Sequence, residues 1–167
     1  ELIEVKSDTE LNQFLSLPKL VYYENRAWVE PIIDAQLEYF SDKNPFWHHA
    51  EKKLFIVRRA GTNIGRIAGI IDKNYIRYTK ERVAYFSFFE CIKDKKAAKM
   101  LFDKVEEWAR SKKMKVLRGP INGSISYEAG FLVDGFNLSP KPFMSYSPKY
   151  YLNFMRALNF SKLKELY

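Results

Sequence analysis

The chain holds a single cysteine, Cys91, so it can form no internal disulfide, and that usage fits a reducing compartment. It has no apolar run of membrane-spanning length: the longest candidate, Val83–Ile92, is about half of the roughly 20 residues that a spanning helix needs. No charged-then-apolar leader opens the sequence, so a cytoplasmic protein without a membrane partner is expected. Histidine is scarce. His48 and His49 are adjacent rather than spaced along one helix face, no Cys or carboxylate cluster accompanies them, and no metal site is expected. Internal repeats, low-complexity runs and clear linkers are also missing, which leaves one compact domain over residues 1–167 as the expectation.

What is present is an ordinary globular composition, 47% hydrophobic and 29% charged, with an aromatic share of 16% that demands many covered or stacked rings. The net charge of +8 favours anionic partners, whether nucleic acid, an acidic membrane face or a phosphate-bearing cofactor such as coenzyme A, and does not choose among them.

Leu2, Ile3 and Val5 make a first strand, and Ser7 with Glu10 forms a capping-box pattern that starts a helix with Leu11, Phe14 and Leu15 on one face. Pro18 interrupts it, and Leu20, Val21 and Tyr22 can resume a helical turn. Pro31 suits the first position of a helix striped by Ile33, Leu37 and Phe40, closed by Asn44-Pro45. Leu54–Arg59 and Ile64–Ile71 are β-rich runs joined by Ala-Gly-Thr-Asn, a hairpin signal. The polar, tyrosine-rich stretch Asp72–Glu81 is expected to be an exposed loop.

The stretch from Val83 to Asn122 is the most organised. Val83–Cys91 is apolar on both faces, as a strand between two layers is. Asp94 can cap a helix in which Ala97, Leu101, Val105, Trp108 and Ala109 recur at three and four residues. Val116 and Leu117 form a parallel partner strand ended by Gly119-Pro120, which makes a strand–helix–strand crossover. Between Asn122 and Pro148 glycines, prolines and serines mark a long irregular segment, before a last helix over Tyr150–Leu158.

This order of elements resembles a GNAT-type acyl-CoA N-acyltransferase. The phrases Trp28-Val29-Glu30-Pro31, Asn44–Glu51, Gly65-Arg66-Ile67-Ala68, Phe86–Cys91, Arg118-Gly119-Pro120 and Glu128–Phe136 are similar to those of a bacterial branch of GNAT-like proteins. The resemblance covers essentially the whole chain. It implies an α/β fold, with a mixed, mostly antiparallel sheet and a central parallel strand pair flanked by helices. It also implies a domain expected to lack its last strands, as the N-terminal part of a longer protein or with its open edge covered by a second copy.

Two departures from the family pattern stand out. The turn that normally presents glycine amides to the coenzyme A pyrophosphate reads Lys93-Asp94-Lys95-Lys96-Ala97-Ala98; it keeps a helix N-terminus and positive charge but not the close approach of glycine. Met155 stands where many members carry a general-acid tyrosine, and Asn159 where glycine is usual.

By the resemblance, Glu90 at the end of the central strand is the candidate base that takes a proton from an attacking amine, and its apolar neighbours suit a raised pKa; the alternative is a solvent-facing strand-end acid. Acetyl-CoA or another acyl-CoA is the implied cofactor, with Cys91, Lys95, Lys96, Ala97, Ala98 and Asn122 as candidate contacts. Ser124, Glu128 and Tyr146 are candidates for holding a small-molecule or peptide amine, on the carboxyl-end side of the parallel pair. Tyr146, Tyr150 and Tyr151 are the tyrosines available to replace the missing acid. Cys91 as a nucleophile lacks a nearby histidine and reads instead as a small buried hydrophobe.

Two other functions remain open. The altered turn and missing tyrosine also fit a catalytically silent GNAT-shaped binding or dimerisation domain. Arg58, Arg59, Arg66, Arg77 and Lys80 with Tyr75 and Tyr78 resemble a nucleic-acid surface only in composition; no RRM, KH or helix-turn-helix signature accompanies them, and a solvated basic face is the better reading.

Overall fold

The computed structural model describes residues 1–124, 128–142 and 144–165. Its spine is a five-stranded sheet in the order β1-β2-β3-β4-β5. The strands β1 (Leu2–Glu4), β2 (Ala50–Arg59), β3 (Thr62–Asp72) and β4 (Val83–Cys91) pair antiparallel, and β5 (Val116–Arg118) lies parallel to β4. Ala60 and Gly61, both at positive φ, turn β2 into β3, so Thr62 and Asn63 belong to the strand and not to the turn.

The crossover from β4 to β5 runs through α5 (Lys95–Ser111). Its stripe of Ala97, Leu101, Val105, Trp108 and Ala109 is buried and widened by Ala98 and Phe102; the first three pack with Phe55, Val57, Ile67, Phe86 and Cys91 on one face of the sheet, and Trp108 and Ala109 with Ile71 and Ala84. Burying each large side chain of that stripe stabilises the fold by about 1.5–3 kcal/mol. Gly69 lets α5 come close, since a Cβ there would lie 2.6 Å from the Trp108 ring. α6 (Tyr151–Ala157) covers the same face, with Tyr151 and Phe154 in that core.

The opposite face carries α1 (Asp8–Ser16) and α3 (Ile33–Phe40), whose Phe14, Leu15 and Phe40 pack on Leu54, Ile56 and Ala68. α1 starts at the capping box read in the sequence: the Glu10 amide donates to Ser7 Oγ while Glu10 accepts from the Ser7 amide. Pro18 opens the short α2 (Pro18–Tyr22) rather than ending helical structure. Pro31 lies outside α3, which begins at Ile33. The stretch expected to be an exposed loop contains α4 (Lys73–Thr79), because the Asp72 carboxylate accepts the amides of Asn74 and Tyr75 and so supplies a cap. His49 also bonds Asp72, at 2.9 Å, where the chain enters the hairpin.

One irregularity sets the site. β3 pairs Arg66 with Glu90 and Ala68 with Ser87, so β4 carries one residue more than β3 between these pairs, and Phe88 takes φ +50°. This is a β-bulge, which re-aims the side chains beyond it.

Candidate active site

The bulge turns Glu90 onto the face of its cross-strand partner Arg66, away from α5. Both residues line a cavity of about 100 Å³ whose walls also include Trp28, Phe88, Asn122, Glu128 and Tyr146. Glu90 is only partly buried because it borders this space, yet burial raises its carboxyl to about 7. The Arg66 guanidinium and the hydroxyls of Tyr151 and Tyr22 oppose that rise by favouring the carboxylate. A carboxyl that exchanges its proton near neutral pH, enclosed in a cavity, is equipped for general acid–base chemistry.

Tyr151 holds the carboxyl in place. Its hydroxyl donates to Glu90 Oε2 at 2.7 Å and accepts from the Cys91 amide at 2.8 Å. Tyr150 donates to the Cys91 carbonyl at 2.7 Å, so two neighbouring residues of the last helix segment satisfy both backbone groups of Cys91. Burial pushes the Cys91 thiol up to about 12, which keeps it protonated and inert, in line with its reading as a buried hydrophobe.

Arg66 was missed as a site residue. Grouped by composition with the solvated basic face, it is instead buried, 3% exposed, while Arg59 and Arg77 do lie on the surface. Its Nη1 donates to the carbonyls of Phe14 at 2.8 Å and Leu15 at 3.4 Å, and the guanidinium sits 4.8 Å from the Phe14 ring centre. Its Nε is buried and finds no acceptor among the described residues. A signal existed: an arginine inside a strand whose neighbours are apolar on both faces must be paired or used.

Asn122 and Glu128 are hydrogen-bonded to each other. Asn122 Oδ1 accepts from the Phe88 amide at 2.8 Å, and its Nδ2 donates to Glu128 Oε2 at 3.0 Å. The Asn122 side chain thus continues the bonding of β5 to β4 past Ile121, whose amide donates to the Phe86 carbonyl. Tyr146 donates to the Phe136 carbonyl and accepts from Asn25 Nδ2 at 2.9 Å, which ties the irregular segment to the stretch after α2. Ser124 is partly buried and does not line the cavity.

The α5 N-terminus lies apart from this cavity. Lys95 and Lys96 are exposed there, whereas the side chains of Ala97 and Ala98 are fully buried. Asp94 engages the Ala97 amide with its carboxylate at 2.9 Å and the Ala98 amide with its carbonyl at 3.0 Å, and pairs with Arg59 at 2.5 Å.

No family model matches the chain. The whole chain superposes on the aminoglycoside N-acetyltransferase AAC(6')-Iy bound to the bisubstrate analogue CoA-S-monomethyl-acetylneamine, covering 95% of it, with a TM-score of 0.59 at 16% identity. The chain has the GNAT fold. Among curated proteins it is 31% identical to the bacterial ceramide synthase of Caulobacter vibrioides, over 99% of this chain and 44% of that protein. It is 28% identical to Protein YghO of Escherichia coli, over 92% of this chain and 39% of that one. The chain therefore spans less than half the length of these relatives.

Proposed function

We propose that this chain carries the chemistry of an N-acyltransferase, moving an acyl group from an acyl-CoA thioester to an amine, with Glu90 as the base. The observation that carries the reading is the enclosed Glu90 carboxyl, raised to about 7 and gripped by Tyr151 at the end of the central strand of a GNAT fold. Glu90 takes the proton that the amine nitrogen must lose as it attacks the thioester carbon. The carbon–sulfur bond breaks as the amide forms, and the departing thiolate is reprotonated to give free coenzyme A. The name of the Caulobacter relative supports the same bond chemistry, since a ceramide is an N-acylated long-chain amino alcohol.

The donor's phosphates would lie at the α5 N-terminus, where the positive end of the helix and the side-chain charges of Lys95 and Lys96 favour an anion. Asp94 opposes this by placing a carboxylate on the same helix end. The decisive experiment is release of free coenzyme A thiol from palmitoyl-CoA or acetyl-CoA in the presence of a panel of amines. Amine-dependent release that Glu90→Gln abolishes supports the reading; no release and no change in melting temperature with millimolar acyl-CoA refutes it.

A second reading has its own support. The Phe88 and Cys91 amides are already bonded by Asn122 and Tyr151, so neither is free to polarise a thioester oxygen. That arrangement fits a GNAT-shaped binding or dimerisation domain without catalysis, which would show a stable dimer by light scattering and no coenzyme A binding.

A further inference from the structure

The basic residues grouped by composition separate in the fold. Arg66 is buried, Arg58 is bonded by Asn63 and Gln13, and Arg59 pairs with Asp94. Arg77 and Lys80 do not join them. They belong to a cluster at the other end of the sheet, on two exposed turns: Arg77, Lys80 and Arg82 where α4 leads into β4, and Lys113 and Lys115 where α5 leads into β5. The Arg82 carbonyl accepts the amides of Lys115 and Val116 at 2.8 and 3.2 Å, so the two turns lie side by side.

Neighbouring carboxylates are already engaged. Glu81 pairs with Arg118, and Glu51 with both Lys73 and Lys112. Arg77 bonds the neutral Asn74 side chain, and none of the five cations of the cluster forms an ion pair among the described residues. Like charges on adjacent turns repel one another, and an anionic partner relieves that repulsion.

The cluster also carries apolar surface. Tyr78 on α4 is 90% exposed, and Val116, beside Lys115, is 46% exposed. A tyrosine set among lysines and arginines suits a lipid headgroup layer, where the cations meet phosphates while the ring and the carbon stems enter the layer. Single-stranded nucleic acid instead follows a groove with successive stacking rings. Tyr75, the other ring of α4, is held by Glu81 and Arg118 and lies edge-on to Tyr85. Tyr78 is thus an exposed ring without a platform of neighbours.

We infer that Arg77, Lys80, Arg82, Lys113 and Lys115, with Tyr78, form a docking surface for an anionic phospholipid membrane. The contact is peripheral. No helix of the described residues is long and apolar enough to cross a membrane, and the expectation of no membrane partner concerns spanning segments and leaders, which a surface contact does not need. At about 3.3 Å per residue along β4, Val83 and Glu90 lie roughly 20 Å apart, so the docking residues are distinct from those of the cavity.

Sedimentation of the full chain with vesicles tests this without any acyl transfer. Each cation that reaches an anionic lipid surface is worth about five-fold in binding, so vesicles of equal parts phosphatidylglycerol and phosphatidylcholine should bind on the order of 10²–10³-fold more tightly than phosphatidylcholine alone, and added salt should release the protein. Arg82→Glu combined with Lys115→Glu should cost at least about 25-fold. Lys6→Glu combined with Arg156→Glu, the same change of net charge on exposed residues elsewhere, should cost less than about three-fold. Tyr78→Ser should weaken binding several-fold at unchanged salt dependence. No preference for the anionic vesicles overturns the inference, and so does an equal loss in both paired reversals, which reduces the effect to net charge. A single-stranded oligonucleotide that binds more tightly than the vesicles, and loses that binding with Arg82→Glu and Lys115→Glu, assigns the surface to nucleic acid and overturns the lipid assignment. If the reversed pair does not fold, the vesicle preference of the unaltered protein and the Tyr78→Ser loss decide.

Discussion

The Tyr151 hydroxyl stands between the Glu90 carboxylate and the Cys91 amide, 2.7 Å from one and 2.8 Å from the other. A phenol with an N–H on one side must direct its own proton to the carboxylate on the other. This favours the charged form of Glu90, against the burial that favours the neutral one.

Removal of that bond therefore raises the Glu90 pKa further. Tyr151→Phe should move the midpoint of the rising limb of a pH–rate profile upward from about 7, and should cost about 1–3 kcal/mol of stability because the Cys91 amide loses its acceptor. Rates from pH 5.5 to 9 together with urea unfolding check both halves; an unmoved midpoint contradicts the assigned bond.

Glu90→Gln should lower thiol release by roughly 10²–10⁴-fold while leaving acyl-CoA binding intact. The same substitution tests a stability linkage. Since the folded carboxyl is raised to about 7 from an ordinary 4.5, the native state holds the proton more tightly than the unfolded chain. Stability from this group is present at acid pH and declines between about 4.5 and 7. The melting temperature of the unaltered protein should fall across that window more steeply than that of Glu90→Gln.

Asp94→Asn separates helix capping from charge. Asparagine caps as well as aspartate, so stability should change by less than about 0.5 kcal/mol beyond the exposed pair with Arg59. With the carboxylate gone from the α5 N-terminus, coenzyme A should bind several-fold more tightly, by calorimetry at low salt. Weaker binding would place the phosphates elsewhere.

Gly69→Ala probes the sheet–α5 contact. The added methyl would sit 2.6–2.7 Å from ring atoms of Trp108, which α5 holds against the sheet. A loss of about 1–3 kcal/mol is expected from such overpacking, read as a lower denaturation midpoint at unchanged slope.

The crossover was legible because each of its parts carries its own pattern: apolar on both sides in Val83–Cys91, a stripe of three and four in Lys95–Ser111, and a Gly-Pro stop after β5. Glu90 was legible through its place at the end of that strand. Arg66 was not, because basic residues were grouped by composition and only pairing places this one under α1. The helix after Asp72 was hidden for a related reason, since its start depends on a single capping carboxylate and its body has little apolar periodicity. The amide bonds of Asn122 and Tyr151 join residues 34 and 60 apart in the chain, a separation that local pattern does not report.

The bulge at Phe88 gives the site a dependence on strand pairing as well as on residue identity. Side chains of a strand alternate between faces, so at this strand length Glu90 shares a face with Ser87 and Arg66 only because the extra residue is bulged out. Regular pairing continued from Ser87 without the bulge would set Phe89 opposite Arg66, turn the carboxylate into the α5 core and bring the Cys91 thiol to the cavity face. A relative that retains every residue type named here but pairs these strands without the bulge has no base beside Arg66.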